Sequence, residues 1–221
     1  MNMYDVLNMR KVTRLCHFTK FQNLVHIINS PNGILATSFI DENKHVIDHT
    51  RADNQLDYVC CSIEYPNSWY LKKAIDRNED IFNDWVVLYI NPEIVNKRII
   101  TVSECNAARN SGAFIKTGDY KSLEQLFDHK VASFEYPRTD KMLMSCPTNS
   151  QAEIMIWHDI PRDYISGIAV GNNNMAERVY GMLKVLSIKG IDIFISPDVI
   201  SKKWRTLVQN GCRPLETRFI G

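Results

Sequence analysis

The sequence predicts an α+β fold. Strand-like apolar runs and helix-like periodic segments intermix without regular βα alternation. The 221 residues are 45% hydrophobic and carry a formal net charge of only +1. No internal repeat, low-complexity tract or Pro/Gly-rich linker divides them. A chain of this length can bury roughly 70% of the surface its unfolded form exposes, so a single domain over residues 1–221 is expected. The apolar fraction and low net charge exclude intrinsic disorder. The balance of 26 Lys+Arg against 25 Asp+Glu excludes a uniformly basic nucleic-acid coat. A polyanion would have to be held by a local patch.

Taken in order, residues 15–19 form a short apolar strand. Thr19 is placed to N-cap a helix over about 20–29, where Phe21, Leu24, Val25 and Ile28 recur at helical spacing. Ser30-Pro31-Asn32-Gly33 stops that helix and turns the chain. Residues 34–39 resume as apolar chain, and 41–55 form a polar loop carrying Arg51. Tyr58–Ile63 reads as a strand, and Pro66-Asn67-Ser68 starts a helix reaching about Arg77. Trp85–Ile90, a continuous apolar run ended by Asn91-Pro92, is the clearest buried strand, and 98–102 is another. A helix near 120–129 precedes a long polar loop over 137–149, which leads into a strand at 152–157. Ile165–Val170 is a further strand, followed by Asn172-Asn173-Asn174 and a helix over about 175–189. Residues 191–195 are expected to be the last strand, with Pro197 opening a final helix. Trp69, Trp85, Trp157 and Trp204 read as core.

The longest stretch without a charged residue, 21–40, contains Gln22, Asn23, His26, Asn29 and Asn32 and is too polar to cross a membrane. Residues 1–14 lack the apolar core of a signal peptide. A cytoplasmic protein is expected. The six cysteines (Cys16, Cys60, Cys61, Cys105, Cys146 and Cys212) form no C-x-x-C pair, so zinc-site spacing is absent. Buried reduced thiols are the expected state.

Three polar segments could carry chemistry. Gln151-Ala152-Glu153 stands at the mouth of a strand, where positions two apart share a face, so Gln151 and Glu153 are expected side by side. A carboxylate beside an amide suits chemistry at a glycosidic carbon: it stabilises a developing oxocarbenium ion or accepts a proton from a hydroxyl or nucleophile. Cys16-His17-Phe18-Thr19, with Asn23 beyond, sits at a strand-to-helix junction, where backbone N–H groups favour polar or anionic ligands. Arg51 offers a guanidinium fork suited to a diphosphate or carboxylate. Each pattern alone is equally the signature of a solvated strand end, a helix cap and a solvated loop cation.

Together, in this order, the segments resemble the DarT family, toxin ADP-ribosyltransferases that modify bases of single-stranded DNA. The resemblance runs from about residue 12 to 168. It is carried by Leu15-Cys16-His17-Phe18-Thr19-Lys20-Phe21-Gln22-Asn23-Leu24, by Arg51 ahead of Asp57-Tyr58-Val59, by the strand and turn over 58–71, and by Gln151-Ala152-Glu153. It implies an ADP-ribosyltransferase-like fold, with two small packed β-sheets forming an NAD cleft flanked by helices. By position it makes Glu153 and Arg51 catalytic. His17, Phe18, Thr19, Asn23 and Arg51 would bind NAD as co-substrate, and Gln151, Arg138 and Lys141 would hold the acceptor base. No metal is implied. The implied partners are single-stranded DNA and a macrodomain-type antitoxin, with RNA or protein as alternative acceptors and a non-catalytic binding module as a further alternative. Candidate phosphate contacts are Lys72-Lys73 with Arg77, Arg138 with Lys141, and Lys202-Lys203 with Arg205. Phe134 and Tyr136 are candidates for stacking a base.

Overall fold

A computed structural model describes residues 1–40, 53–76 and 84–221. Arg51 and Arg77 lie outside the described residues. The strands are β1 (Leu15–Lys20), β2 (Ile34–Leu35), β3 (Tyr58–Ile63), β4 (Trp85–Ile90), β5 (Ile100–Ser103), β6 (Ile115–Thr117), β7 (Glu153–Trp157), β8 (Asp159–Ile160), β9 (Ile165–Val170), β10 (Asp192–Ile195) and β11 (Thr217–Arg218). The helices are α1 (Met3–Met9), α2 (Phe21–Asn29), α3 (Ser68–Asp76), α4 (Tyr120–Gln125), α5 (Asn173–Val185), α6 (Pro197–Ile200) and α7 (Lys203–Gln209).

Nine strands form one sheet in the order β11-β10-β9-β4-β1-β3-β7-β5-β6, and β2 pairs with β8 in a separate ribbon. All six residues of β4 are buried, as its unbroken apolar run requires. They alternate between two layers. Val86, Leu88 and Ile90 pack with α1, α2 and α5 on one face. Trp85, Val87 and Tyr89 pack on the other face with Leu71 of α3, Val199 of α6 and Trp204 and Val208 of α7. Helices therefore cover both faces. Two of the four tryptophans depart from the expected core positions: Trp85 and Trp204 are buried, but Trp157 is 39% and Trp69 is 53% exposed.

The expected pair of small sheets takes a specific form. β1 pairs with β4 along its whole length, from Leu15 to Lys20. Its pairing with β3 is confined to Leu15↔Ile63 and Cys16↔Ser62. Beyond Cys16 the two strands diverge, so the sheet consists of two halves, β11-β10-β9-β4-β1 and β3-β7-β5-β6, joined by a two-residue seam.

Several local features differ from the sequence expectations. Thr19 does not cap α2; the cap position is Lys20, without a side-chain capping bond. The Thr19 hydroxyl instead accepts from the Asn23 amide at 3.3 Å. Helix α1 was not expected, yet Asn2 and Asp5 form a capping box and Val6 and Leu7 are buried. The strand at 191–195 is not the last, because β11 pairs antiparallel with β10.

The β2–β8 ribbon is fixed by two features. At Gly33 the chain turns with φ +63, and a Cβ there would stand 2.2 Å from the Ile160 carbonyl, so only glycine fits. Asp159 receives Arg98 Nε at 3.0 Å and His158 Nδ1 at 3.1 Å. Burial pushes the Asp159 carboxyl up, but the hydrogen bonds from Arg98 and His158 outweigh it and hold the group below the usual carboxylate value. A depressed folded-state value adds stability above the unfolded value of about 4, which is lost as pH falls through the folded value. Asp159→Asn should cost about 2 kcal/mol near neutral pH, a fall of roughly 4–8 °C in Tm. Melting curves across pH should show that gap closing below about pH 4.

Candidate active site

Glu153 begins β7 between two serines, Ser62 of β3 and Ser103 of β5, which stand opposite it in register. Ile154 and Ile156 face the larger core, so alternation turns Glu153 to the opposite face. There it is only 6% exposed. Its Oε1 accepts from the Asn67 amide at 3.4 Å and the Asn106 amide at 3.1 Å. Its Oε2 accepts from the Ala107 backbone N–H at 2.9 Å. Asn67 is itself locked: its N–H donates to Ser62 Oγ at 2.8 Å, and its Oδ1 caps α3 by accepting from the Tyr70 N–H. Asn106 Oδ1 accepts from the Ala108 N–H at 3.2 Å. The carboxylate is therefore oriented by groups that have their own supports.

Across the seam, His17 follows the last paired residue of β1. Its Nδ1 lies 2.9 Å from the Cys60 carbonyl oxygen, an acceptor, which assigns the proton to Nδ1. This bond bridges the two sheet halves where backbone pairing has stopped. Phe18 packs between Tyr70 and Trp85, each ring centroid 5.8 Å away.

These groups line one cavity. Its wall includes His17, Phe18, Thr19, Asn23, Tyr70 and Glu153, with residues 33–37 of the turn and ribbon closing one side. Alternation along β1 puts Cys16 and Phe18 with the smaller core and Leu15 with the larger one. The cavity is reached by residues of both series, so it passes through the opening between the sheet halves rather than lying on one surface of the sheet. The structure thus brings together the His17–Thr19 segment, Asn23 and Glu153, which are far apart in sequence.

Other expected contacts lie elsewhere. Arg51 falls outside the described residues; Asp53, which follows it, is buried, and the Cys60 thiol lies 3.9 Å from its Oδ2. Gln151 is not on the strand beside Glu153. It sits in the preceding turn, where its N–H donates to Asn149 Oδ1 at 3.0 Å, because β7 starts only at Glu153. Arg138 donates to the Cys146 and Leu143 carbonyls, both at 2.6 Å. Its guanidinium is half-buried and fastens its own loop, and burial lowers its pKa. Lys141 is exposed on that loop. None of Gln151, Arg138 and Lys141 lines the cavity.

Sequence reasoning missed Asn67, Asn106, Ala107 and Tyr70. Asn67 was visible as the start of a helix, but nothing local marks its second bond. The cavity also contains Cys16, Cys60 and Cys61. Burial pushes the Cys16 and Cys61 thiols well up, so neither is a ready thiolate. Among the described residues, no group of three or more His, Cys, Asp or Glu could hold a metal ion. No described helix is long and apolar enough to cross a membrane.

The sheet is thus split around a cleft, with a buried carboxylate at one wall and the His-Phe-Thr strand at the other. The model of the DarT family, described as ssDNA thymidine ADP-ribosyltransferase, matches residues 16–201, and the chain belongs to that family. The match continues past residue 168, where the sequence resemblance ended. Thermus sp. 2.9 DarT in complex with NAD+ is similar at 18% identity, covering 85% of this chain and 97% of that one with a TM-score of 0.63. The same protein in complex with ADP-ribosylated ssDNA gives 17% identity, 85% and 96% coverage and a TM-score of 0.62. Thermosipho africanus DarTG in complex with ADP-ribose gives 16% identity and a TM-score of 0.60; the match covers 85% of this chain and 51% of that longer one. At these identities the likeness establishes the fold. No curated protein is similar enough in sequence to match the chain.

Proposed function

We propose that this chain transfers ADP-ribose from NAD to a thymidine base of single-stranded DNA, with Glu153 as the catalytic carboxylate. The observation that carries the assignment is the convergence of Glu153, His17, Thr19 and Asn23 on one cleft. The donor set suits a dinucleotide: an imidazole, a hydroxyl and a carboxamide for ribose and amide groups, and the rings of Phe18 and Tyr70 for flat surfaces. When bound, NAD supplies an ADP-ribosyl group on a cationic glycosidic nitrogen, from which nicotinamide can leave uncharged.

Glu153 acts at the ribose. Its carboxylate bonds a ribose hydroxyl and offsets positive charge growing at the anomeric carbon. It is also placed to take the proton that the attacking base nitrogen loses. Asn67, Asn106 and the Ala107 N–H fix its direction before substrate arrives, so little reorganisation is needed during the reaction. His17 and Thr19 hold the nicotinamide-side ribose and amide, and Asn23 supports the nucleotide. Arg51 is assigned to the diphosphate or the nicotinamide ribose by family resemblance alone. A base within a duplex cannot reach such a cleft, which accounts for a single-stranded acceptor. The family also implies a toxin role and a macrodomain-type antitoxin.

The test is incubation with labelled NAD and single-stranded oligonucleotides with or without thymidine. Label should enter only the thymidine-containing strands. Nicotinamide release without any labelled DNA would overturn the assignment and point to water, RNA or protein as the acceptor.

A further inference from the structure

Outside the cleft, the exposed Trp69 stands among cations. Lys73 Nζ lies 5.9 Å and Lys202 Nζ 5.8 Å from the indole ring. The groove around the ring is lined by Lys72, Lys73, Asp76 and Lys202, and Lys72 neutralises Asp76 at 2.6 Å. Two ammonium groups from elements 129 residues apart in sequence, 73 and 202, thus meet at one exposed indole.

The patch continues. Three residues beyond Lys202, Arg205 lies over the Phe134 ring at 5.7 Å. Phe134 in turn packs edge-on against Tyr136, which is 63% exposed. The strip therefore alternates aromatic rings with cations from α3 across α7 to the loop at 134–136. One end adjoins the cleft, and the other adjoins the turn that leads into β7. Tyr70, next to Trp69 on α3, lines the cavity. Ser133, next to Phe134, accepts from the Asn149 amide at 3.2 Å, just ahead of β7.

We propose that this strip is a docking platform for single-stranded DNA flanking the modified base, with Trp69 stacking a base and Lys73 and Lys202 contacting phosphates. The inference rests on the proposed acceptor. Flat exposed rings interleaved with cations match what a single strand presents: unpaired base faces and regularly spaced phosphates. An acidic protein surface supplies the charge but not the repeated alternation of base face and phosphate. With a net charge of only +1, the chain has no general attraction for DNA, so a local patch must supply it.

Fluorescence anisotropy with a labelled thymidine-containing oligonucleotide, without NAD and over a series of salt concentrations, tests this directly. Trp69→Ala should weaken binding of a long strand about 5- to 100-fold and leave a trinucleotide unaffected. Lys73→Ala with Lys202→Ala should flatten the log–log salt dependence by about 1.4. Wild-type affinity and slope in these variants would overturn the platform, as would loss of affinity for an acidic protein alone. Because binding is read without turnover, the two readings fail separately. If long-strand binding depends on Trp69 but no strand is ever labelled, the catalytic assignment fails and the platform stands. If labelling proceeds with an unchanged KM for long strands in Trp69→Ala, the platform fails and the catalytic assignment stands.

Discussion

Glu153→Gln is expected to reduce both nicotinamide release and DNA labelling by on the order of 10²–10³-fold. The substitution keeps the side chain's size and removes its charge, the property that stabilises an electron-poor ribose carbon. It also places an amide N–H₂ where the contacts from Asn67, Asn106 and Ala107 are all donors. At least one of the contacts now made by Asn67, Asn106 and the Ala107 N–H would face another donor, so the side chain would also be misdirected. Because the loss lies in charge development rather than ground-state contact, kcat should fall far more than KM for NAD changes. Steady-state kinetics with labelled NAD checks this, and a retained melting transition would show that the fold is intact. Activity within a few-fold of wild type would remove Glu153 from the chemistry.

The second large effect concerns stability. Glu64 is fully buried and sits in the left-handed region at φ +65, unusual for a non-glycine residue. Its carboxylate accepts from the Thr13 N–H at 2.7 Å, the Thr13 hydroxyl at 3.1 Å and Arg213 Nη1 at 2.6 Å. Its carbonyl accepts from Arg14 Nε at 3.0 Å. Arg14 forms a bidentate pair with Glu216 and lies over the Tyr89 ring at 3.9 Å, and the Tyr89 hydroxyl donates to Glu216 at 2.8 Å. The hydrogen bond it donates to Glu64 holds Arg213 more firmly protonated. Arg213→Met keeps the stem but leaves a buried carboxylate supported by Thr13 alone. Because the Arg213 side chain is 48% exposed, its attraction is partly screened, and the cost should be about 2–3 kcal/mol. That corresponds to a Tm lower by roughly 4–12 °C. Glu64→Gln in the same chain should recover most of the loss, because the uncompensated charge is then gone. Arg213 does not line the cleft, so activity well below the transition should persist.

What could be read in the sequence follows from the range of the interactions. β4 was legible because a strand buried on both faces must be apolar at every position, and no other element shows so long a run. The His17–Thr19 strand and Glu153 were legible because their residue order matches a family pattern. Their convergence was not, because it depends on β1 and β3 parting after two pairs, a matter of three-dimensional twist. Gln151 was misplaced because alternation was extended two residues beyond the true start of β7. The two bonds from the Arg138 guanidinium to carbonyls of its own loop are not legible in sequence, because no local pattern marks them. Trp69 was read as core on residue type; its exposure depends on how α3 lies against α7, which no local pattern records.

The Glu64 network also orders events during synthesis. A ribosome completes β1, β3 and β4 long before it adds Arg213 and Glu216, the partners of Glu64 and Arg14. Until those residues emerge, a nascent chain that closes the seam between β1 and β3 must bury one acid and one base without their counter-ions. The seam therefore closes with its charges paired only once residues 213–216 are in place.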